Sequence, residues 1–184
     1  MNDPVRVEYL RDCAESFRKY KSMADRSLER VTDEQFFALL DADSNSLAVL
    51  VKHMAGNLLS RWTDLLTSDG EKPDRDRDSE FEVASSDTRP LLMQRWETAW
   101  ALVFRSMDAL TPADLDRTIR IRGEPHSLVQ ALNRQLTHAA YYVGQIVLLA
   151  RHHQADGWES LSIPRGQSRQ FNAAMATAPP RARA

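Results

Sequence analysis

Cysteine is almost absent from this chain of 184 residues, which contains only Cys13. A single thiol excludes an intramolecular disulfide, and it excludes a cluster or zinc site built on several thiolates. A bound metal ion would therefore need histidine, carboxylate or amide ligands. Five histidines are available, and the possible chemistry of the chain depends on whether any of them come together: His53, His126, His138, His152 and His153.

Long apolar runs and an excess of charge of one sign are also lacking. No stretch approaches the roughly 18 uninterrupted apolar residues of a membrane span, and the N-terminus lacks the basic and apolar regions of a signal peptide. The formal net charge of −2 provides no basic field for nucleic acid or for an anionic membrane. We therefore expect a cytoplasmic protein that binds neither a membrane nor nucleic acid.

Glycine is scarce, with six residues, and apolar residues recur three or four positions apart along most of the chain. Capping signals at Thr32 and Thr111 predict two short helical turns, the first extending to Leu40. The tryptophans, Met54, Met107 and Cys13 fall on apolar stripes, where we expect them to be core residues. The apolar spacing predicts four long amphipathic helices, at 4–30, 47–66, 88–110 and 128–152.

Two regions depart from the helical pattern near the C-terminal half of the chain. Residues 118–122 alternate between polar and apolar types, which predicts a short extended piece before a turn at 123–125. Trp158, Leu161 and Ile163 are expected to dock a C-terminal segment on the helices. We assign residues 1–175 to one domain and expect residues 176–184 to be a disordered tail.

Residues 68–86 break the helical pattern most strongly, with the sequence SDGEKPDRDRDSEFEVASS. A connection of this length is uncommon between helices, and it indicates either a mobile lid or a crossover between two helices that run the same way. The charged run is most simply a solvated face, and the alternation over 80–83 predicts an extended piece. The whole pattern predicts an all-α four-helix bundle with a long crossover between helices 2 and 3.

His53 and His138 occupy equivalent positions on two of the predicted helices. On a helical wheel His53 lies at the margin of the apolar stripe of the second helix, with Asn57 and Arg61 on its side. His138 lies at the margin of the apolar stripe of the fourth helix, in a row with Gln145. Bundles build metal sites from facing helices in this way, although a single histidine at a helix margin is more often a structural residue.

Several short motifs resemble the DinB/YfiT-like superfamily. They are 51–57, VKHMAGN, on the second helix, and 130–138, QALNRQLTH, followed by 141–146, YYVGQI, on the fourth. Residues 161–168, LSIPRGQS, together with 61–64 and 69–73, resemble one branch of unknown function within it. The motifs occur in the same order and at the same spacing, so the resemblance covers nearly the whole chain.

The resemblance implies a DinB-like four-helix bundle, often a homodimer, with a divalent ion on three histidines. Zinc or nickel is the metal that it implies. His53 matches the ligand of the second helix, and His138 matches the first histidine of a pair on the fourth. The second member of that pair is Tyr142 here, and a neutral phenol is a poor ligand whose ordinary pKa is near 10. The third position would then be filled by water, by Tyr142, by Asn57 or by nothing.

Two functions follow as hypotheses from the residues and the resemblance. The first is a metal-dependent transferase that uses a low-molecular-weight thiol, or a hydrolase, with Asn57, Arg61 and Gln145 contacting substrate or water. Because the chain has one cysteine, the thiol would arrive as a substrate. The second is a non-catalytic dimeric bundle whose degenerate metal site binds a small ligand or a partner.

Overall fold

The computed structural model describes residues 3–154 and 157–177, and within them the chain is mostly helical, as expected of the all-α class. No helix in this described part is both long enough and apolar enough to span a membrane. Two short 3-10 helices, Asp78–Phe81 and Pro112–Asp116, lie in the connections. The α-helices are α1 (Pro4–Leu28), α2 (Asp33–Phe37), α3 (Leu47–Trp62), α4 (Arg89–Ala109), α5 (Leu128–His153) and α6 (Ser168–Thr177).

The starts of the long helices follow their capping residues. Ser46, Thr88 and Ser127 each accept a hydrogen bond from a backbone N–H of the first helical turn, which satisfies a donor that would otherwise have no partner. The predicted ends were less accurate, because α3 stops at Trp62 rather than at residue 66. Asp64 adopts a left-handed backbone with φ of 50°, which ends the helical path. The turn after Thr32 ends at Phe37, before Leu40, because Ala38 is extended.

Helix α3 is the most deeply enclosed element, since every one of its residues except Leu59 is buried. It packs against both α4 and α5, while α1 packs against α5 and α4 in turn. The core includes all the residues that the apolar stripes had predicted for it, with Cys13, Met54 and Met107 among them. Burying α3 on all sides also takes its polar side chains out of water, where each needs a partner.

The connection from α3 to α4 runs back along α3. Ser60, near the end of α3, hydrogen-bonds the carbonyl of Gly70, and Lys52, near its start, donates to the carboxylate of Asp87 at 2.7 Å. The chain has therefore returned to the N-terminal half of α3 before α4 begins. The predicted extended piece over 80–83 is wrong at its start, because Glu80 belongs to the 3-10 helix Asp78–Phe81 and is buried against α3.

A small hairpin precedes α5 and is tied to the same connection. Strands β1 (Thr118–Ile121) and β2 (Glu124–Ser127) pair antiparallel, so residues 124 and 125 belong to a strand rather than to the predicted turn. The turn is Arg122-Gly123, both with positive φ, as two-residue hairpin turns require. The carboxylate of Asp69 accepts hydrogen bonds from both backbone N–H groups of this turn, which holds Arg122 beside the connection.

The C-terminal segment contacts the helices mainly through one aromatic ring. Trp158 packs on the core and lies under the Arg30 guanidinium, 5.0 Å from the ring centroid. Leu161 is half-buried and Ile163 is exposed, so docking by these two is weaker than expected. Helix α6 has no buried residue. The predicted disordered tail over 176–184 lies outside the described residues, apart from the two that end α6.

Candidate functional site

The structure brings together the three side chains that the sequence singled out as metal ligands. His53 comes from α3, whereas His138 and Tyr142 lie one turn apart on α5. The ring of His53 is 5.4 Å from that of His138 and 4.7 Å from that of Tyr142, measured between centroids. The rings of His138 and Tyr142 are 4.6 Å apart. The helical-wheel prediction of a shared His53–His138 location therefore agrees with the geometry.

A buried glutamate fixes the orientation of His53. Glu80 Oε2 lies 2.9 Å from His53 Nδ1, and both side chains are almost completely excluded from solvent. Arg75 donates two hydrogen bonds, each 2.8 Å long, to the same carboxylate. Although burial favours the neutral acid, the hydrogen bonds from Arg75 and His53 hold the pKa of Glu80 below its usual range. Glu80 is therefore an anionic acceptor and Nδ1 is the donor, so the lone pair of an unprotonated His53 ring is on Nε2.

Sequence reasoning missed Arg75 and Glu80, and it also missed the lining residues Arg77, Arg122, Arg134 and Gln135. The run over 74–82 was interpreted as a solvated face, which is wrong for the side chains of Arg75 and Glu80, because only 5% and 7% of them are exposed. Gly56 was the available signal. An added Cβ there would overlap Glu80 Oε1 and would lie 2.6 Å from Glu80 Cδ, so the glycine in α3 is what lets the carboxylate approach.

The histidines and the tyrosine line a cavity of about 200 Å³ between α3, α5 and the connection. The lining residues other than arginine are His53, Asn57, Gln135, His138 and Tyr142. The charged lining of the cavity consists of five arginines: Arg61, Arg75, Arg77, Arg122 and Arg134. Glu71 is the common partner of three of these guanidinium groups, with its Oε2 2.8 Å from Arg61, 3.3 Å from Arg75 and 3.2 Å from Arg122.

The three further residues expected to contact substrate or water differ in position. Asn57 lines the cavity and accepts a hydrogen bond of 3.1 Å from Gln135. Arg61 also lines it, but its guanidinium already binds Glu71 and the carbonyl of Gly70. Gln145 is not among the lining residues, and its amide nitrogen is buried with no hydrogen-bond partner in the described part of the chain.

His138 and Tyr142, both on α5, are held in their neutral forms. Burial, reinforced by His53 and nearby arginines, lowers the pKa of His138 to about 4. Burial raises the pKa of the Tyr142 phenol above its ordinary value. At neutral pH, His138 therefore has a lone pair to offer, whereas Tyr142 keeps its proton.

The donor set fits an ion that takes two imidazole ligands from the protein. Among residues 3–154 and 157–177, no group of three or more His, Cys, Asp and Glu side chains is arranged to hold a metal. His53 nevertheless has the arrangement of a metal-ligating histidine, whose second ring nitrogen donates to a carboxylate. The phenol of Tyr142, which stays protonated, would be a poor third ligand. Remaining coordination positions would fall to water or to a bound small molecule.

The other three histidines do not line this cavity, and two larger cavities in the described part of the chain have no histidine in their linings. His126 is in β2, and its Nδ1 lies 3.0 Å from the carbonyl of Glu124, while His152 and His153 are at the C-terminus of α5, where a cation favours the helix dipole. A larger cavity of about 460 Å³ shares Arg75 with the first but has no histidine in its lining. The small cavity is therefore the candidate site.

Two glycines in helices provide a matched test of how tightly Glu80 packs. Gly56→Ala is expected to lower the free energy of unfolding by about 1–3 kcal/mol, because Arg75 and His53 prevent Glu80 from yielding to the new Cβ. Gly144→Ala on α5 meets no atom within 4 Å and should raise the free energy of unfolding by about 0.5–1 kcal/mol. Urea denaturation measures both changes, and stabilisation by both substitutions would contradict the packing described.

The half-buried His138 makes the stability of the metal-free protein depend on pH. The imidazole takes up a proton near its ordinary pKa of about 6.5 in the unfolded chain, but only near about 4 in the folded protein. Between these values the unfolded state holds the extra proton, so the free energy of unfolding falls as the pH drops.

We expect His138→Gln to lose less stability than the wild type between pH 7 and pH 5, measured by urea denaturation after passage over a chelating resin. His152→Gln, at an exposed position near the end of α5, should retain the wild-type dependence. An equal loss in all three proteins would contradict the assignment to His138.

A family model described as "Protein of unknown function (DUF1572)" matches residues 5–167. Comparisons with curated proteins and with solved structures gave no match. The matched range contains α1 except Pro4, α2 to α5, and every residue that lines the cavity. The chain thus belongs to the DUF1572 family of proteins of unknown function.

Proposed function

We propose that this protein is a DinB-like four-helix bundle that acts as a metal-dependent enzyme on a small molecule. The ring of packing partners formed by α1, α5, α3 and α4 supports a bundle. The return of the connection along α3 supports the crossover between the second and third long helices, because α4 then begins beside the start of α3. The motifs that resemble the DinB/YfiT-like superfamily agree with this arrangement.

One observation carries the proposal, the hydrogen bond between His53 Nδ1 and Glu80 Oε2. Such a bond selects the tautomer whose Nε2 coordinates a metal, and it increases the basicity of that nitrogen. His138 stands beside His53 with its own lone pair available. His53 and His138 would therefore hold a divalent ion, for which zinc and nickel are the candidates because imidazole suits both.

When bound, such an ion lowers the pKa of a coordinated thiol or water and so supplies a nucleophile at neutral pH. The chain itself does not supply the thiol, because Cys13 is in the core and burial raises its pKa. A low-molecular-weight thiol would therefore enter as a substrate. Tyr142, whose phenol stays protonated, would donate a proton to a leaving group, and the hydrogen-bonded Asn57–Gln135 pair would orient the substrate.

Elemental analysis of untagged protein tests this proposal. We expect zinc or nickel in the wild type and none in His53→Ala or His138→Ala, whereas His126→Ala, outside the cavity, should retain the metal. Glu80→Gln should weaken metal affinity about 10–100-fold, because it removes the carboxylate behind His53. Circular dichroism establishes that each variant is folded. A wild type that stays metal-free in zinc or nickel and turns over no common cellular thiol would contradict the proposal.

The second candidate function is a non-catalytic homodimeric bundle whose degenerate metal site binds a small ligand or a partner. Tyr142 is the observation that favours it. The phenol has a raised pKa, so it is a weak ligand at the position where the superfamily resemblance implies a third histidine. A site with two imidazoles binds an ion less tightly than a site with three.

Restoring the third histidine distinguishes the two candidate functions. If the metal site has degenerated, Tyr142→His should bind zinc far more tightly than the wild type, because a neutral imidazole replaces a protonated phenol. If the protein is a working metalloenzyme, the two affinities should be of the same order, and Tyr142→His should lose turnover. Competition with a chromogenic chelator measures both affinities, and Tyr141→His, at an exposed neighbouring position, is the control.

A further inference from the structure

Positive charge around the candidate cavity exceeds the negative charge placed to neutralise it. Five guanidinium groups line the cavity, and the carboxylates that pair with the inner three are Glu71 and Glu80. Asp69 lies nearby, but its oxygens accept hydrogen bonds from backbone N–H groups of the hairpin turn and of Glu71. The charges of Arg61, Arg75 and Arg122, the inner arginines, are therefore partly neutralised, whereas those of the two outer arginines are not.

Arg77 and Arg134 are the two outer arginines, and they approach the cavity from different elements. Arg134 is on α5, one turn before His138, and forms no ion pair within residues 3–154 and 157–177. Arg77 is on the connection, where its guanidinium lies over the Phe81 ring, 4.9 Å from the centroid, and 3.8 Å from Asp78, whose side chain is almost completely exposed. Solvent screens an ion pair of that kind. Neither guanidinium group therefore has a buried carboxylate partner, and both keep N–H donors for an incoming group.

The neutral lining does not offset this charge. Tyr142 keeps its proton because its pKa is raised, and the amides of Asn57 and Gln135 are used in a hydrogen bond with each other. Guanidinium groups are planar donors that match the two oxygens of a carboxylate or phosphate. In a concave site with walls of low dielectric, their field concentrates anions.

We infer that the cavity binds a small anion with a carboxylate or phosphate group, and that Arg77 and Arg134 hold this group at the solvent side, next to His138 and Tyr142. The inference rests on the proposed function only in placing this anion in the same cavity as the reactive centre. The volume of about 200 Å³ is below the usual range for drug-sized ligands, so the anion is a small one.

Binding of two simple anions to metal-free protein tests the inference. The full chain, freed of metal on a chelating resin, is titrated by calorimetry at low ionic strength with succinate, inorganic phosphate and uncharged succinamide. We expect at least one anion to bind, binding to weaken as sodium chloride is added, and succinamide not to bind. Succinate alone would identify a carboxylate ligand, and phosphate alone a phosphate ligand.

Three arginine variants locate the anion within the molecule. Arg77→Gln and Arg134→Gln should each weaken anion binding about tenfold or more, because each removes a charge-assisted hydrogen bond. Arg95→Gln, at an exposed position lining the larger cavity, changes the net charge equally and should bind as the wild type does. All three residues are exposed, so the variants should fold, and their unfolding midpoints check this.

The inference is overturned if neither anion binds, if succinamide binds as well as succinate, or if Arg95→Gln weakens binding as much as the other two. The experiment contains no metal, so its outcome is separate from that of the proposed function. Anion binding by a protein that never takes up zinc or nickel would uphold this inference and remove the enzyme proposal. Metal uptake without anion binding would overturn this inference and leave the enzyme proposal in place.

Discussion

Two parallel hydrogen bonds join the guanidinium of Arg75 to the carboxylate of Glu80, and this pair lies almost wholly out of contact with water. Glu80 reaches that depth only because Gly56 has no side chain to oppose it. Removing one partner of such a pair leaves a buried charge uncompensated, which typically costs about 3–5 kcal/mol. The orientation of His53 and the path of the connection along α3 both depend on this arrangement.

The site follows from the way the fold encloses α3. A helix buried on all sides must find partners for its polar side chains inside the protein. The connection and α5 supply such partners for five side chains of α3: Lys52, His53, Asn57, Ser60 and Arg61. The indole N–H of Trp62, at the end of α3, is buried without a partner in the described part of the chain. His53, Asn57 and Arg61 line the candidate cavity, whereas Lys52 and Ser60 line the larger one. The side chains that satisfy the buried helix therefore include those that shape the candidate site.

The chemistry of the cavity combines two features that oppose each other electrostatically. The imidazoles of His53 and His138 offer ligands to a divalent cation, whereas the surrounding arginines repel one. An anion seated among the arginines would reduce that repulsion, and a cation between the histidines would in turn strengthen the binding of the anion, because coupling between two ligands is reciprocal. A cavity of this kind is suited to an anionic substrate bound together with a metal ion, more than to either alone.

The sequence by itself predicted the four long helices, the short turns that begin at Thr32 and Thr111, and the helix faces that carry His53 and His138, because apolar periodicity and capping chemistry are local properties. It also identified Tyr142 as the weak point of the metal hypothesis. Only the tertiary structure decided the roles of Arg75 and Glu80. Their alternating charged run has no periodicity that marks one face as buried. Which of its charges are buried depends on contact with α3, more than twenty residues earlier in the chain.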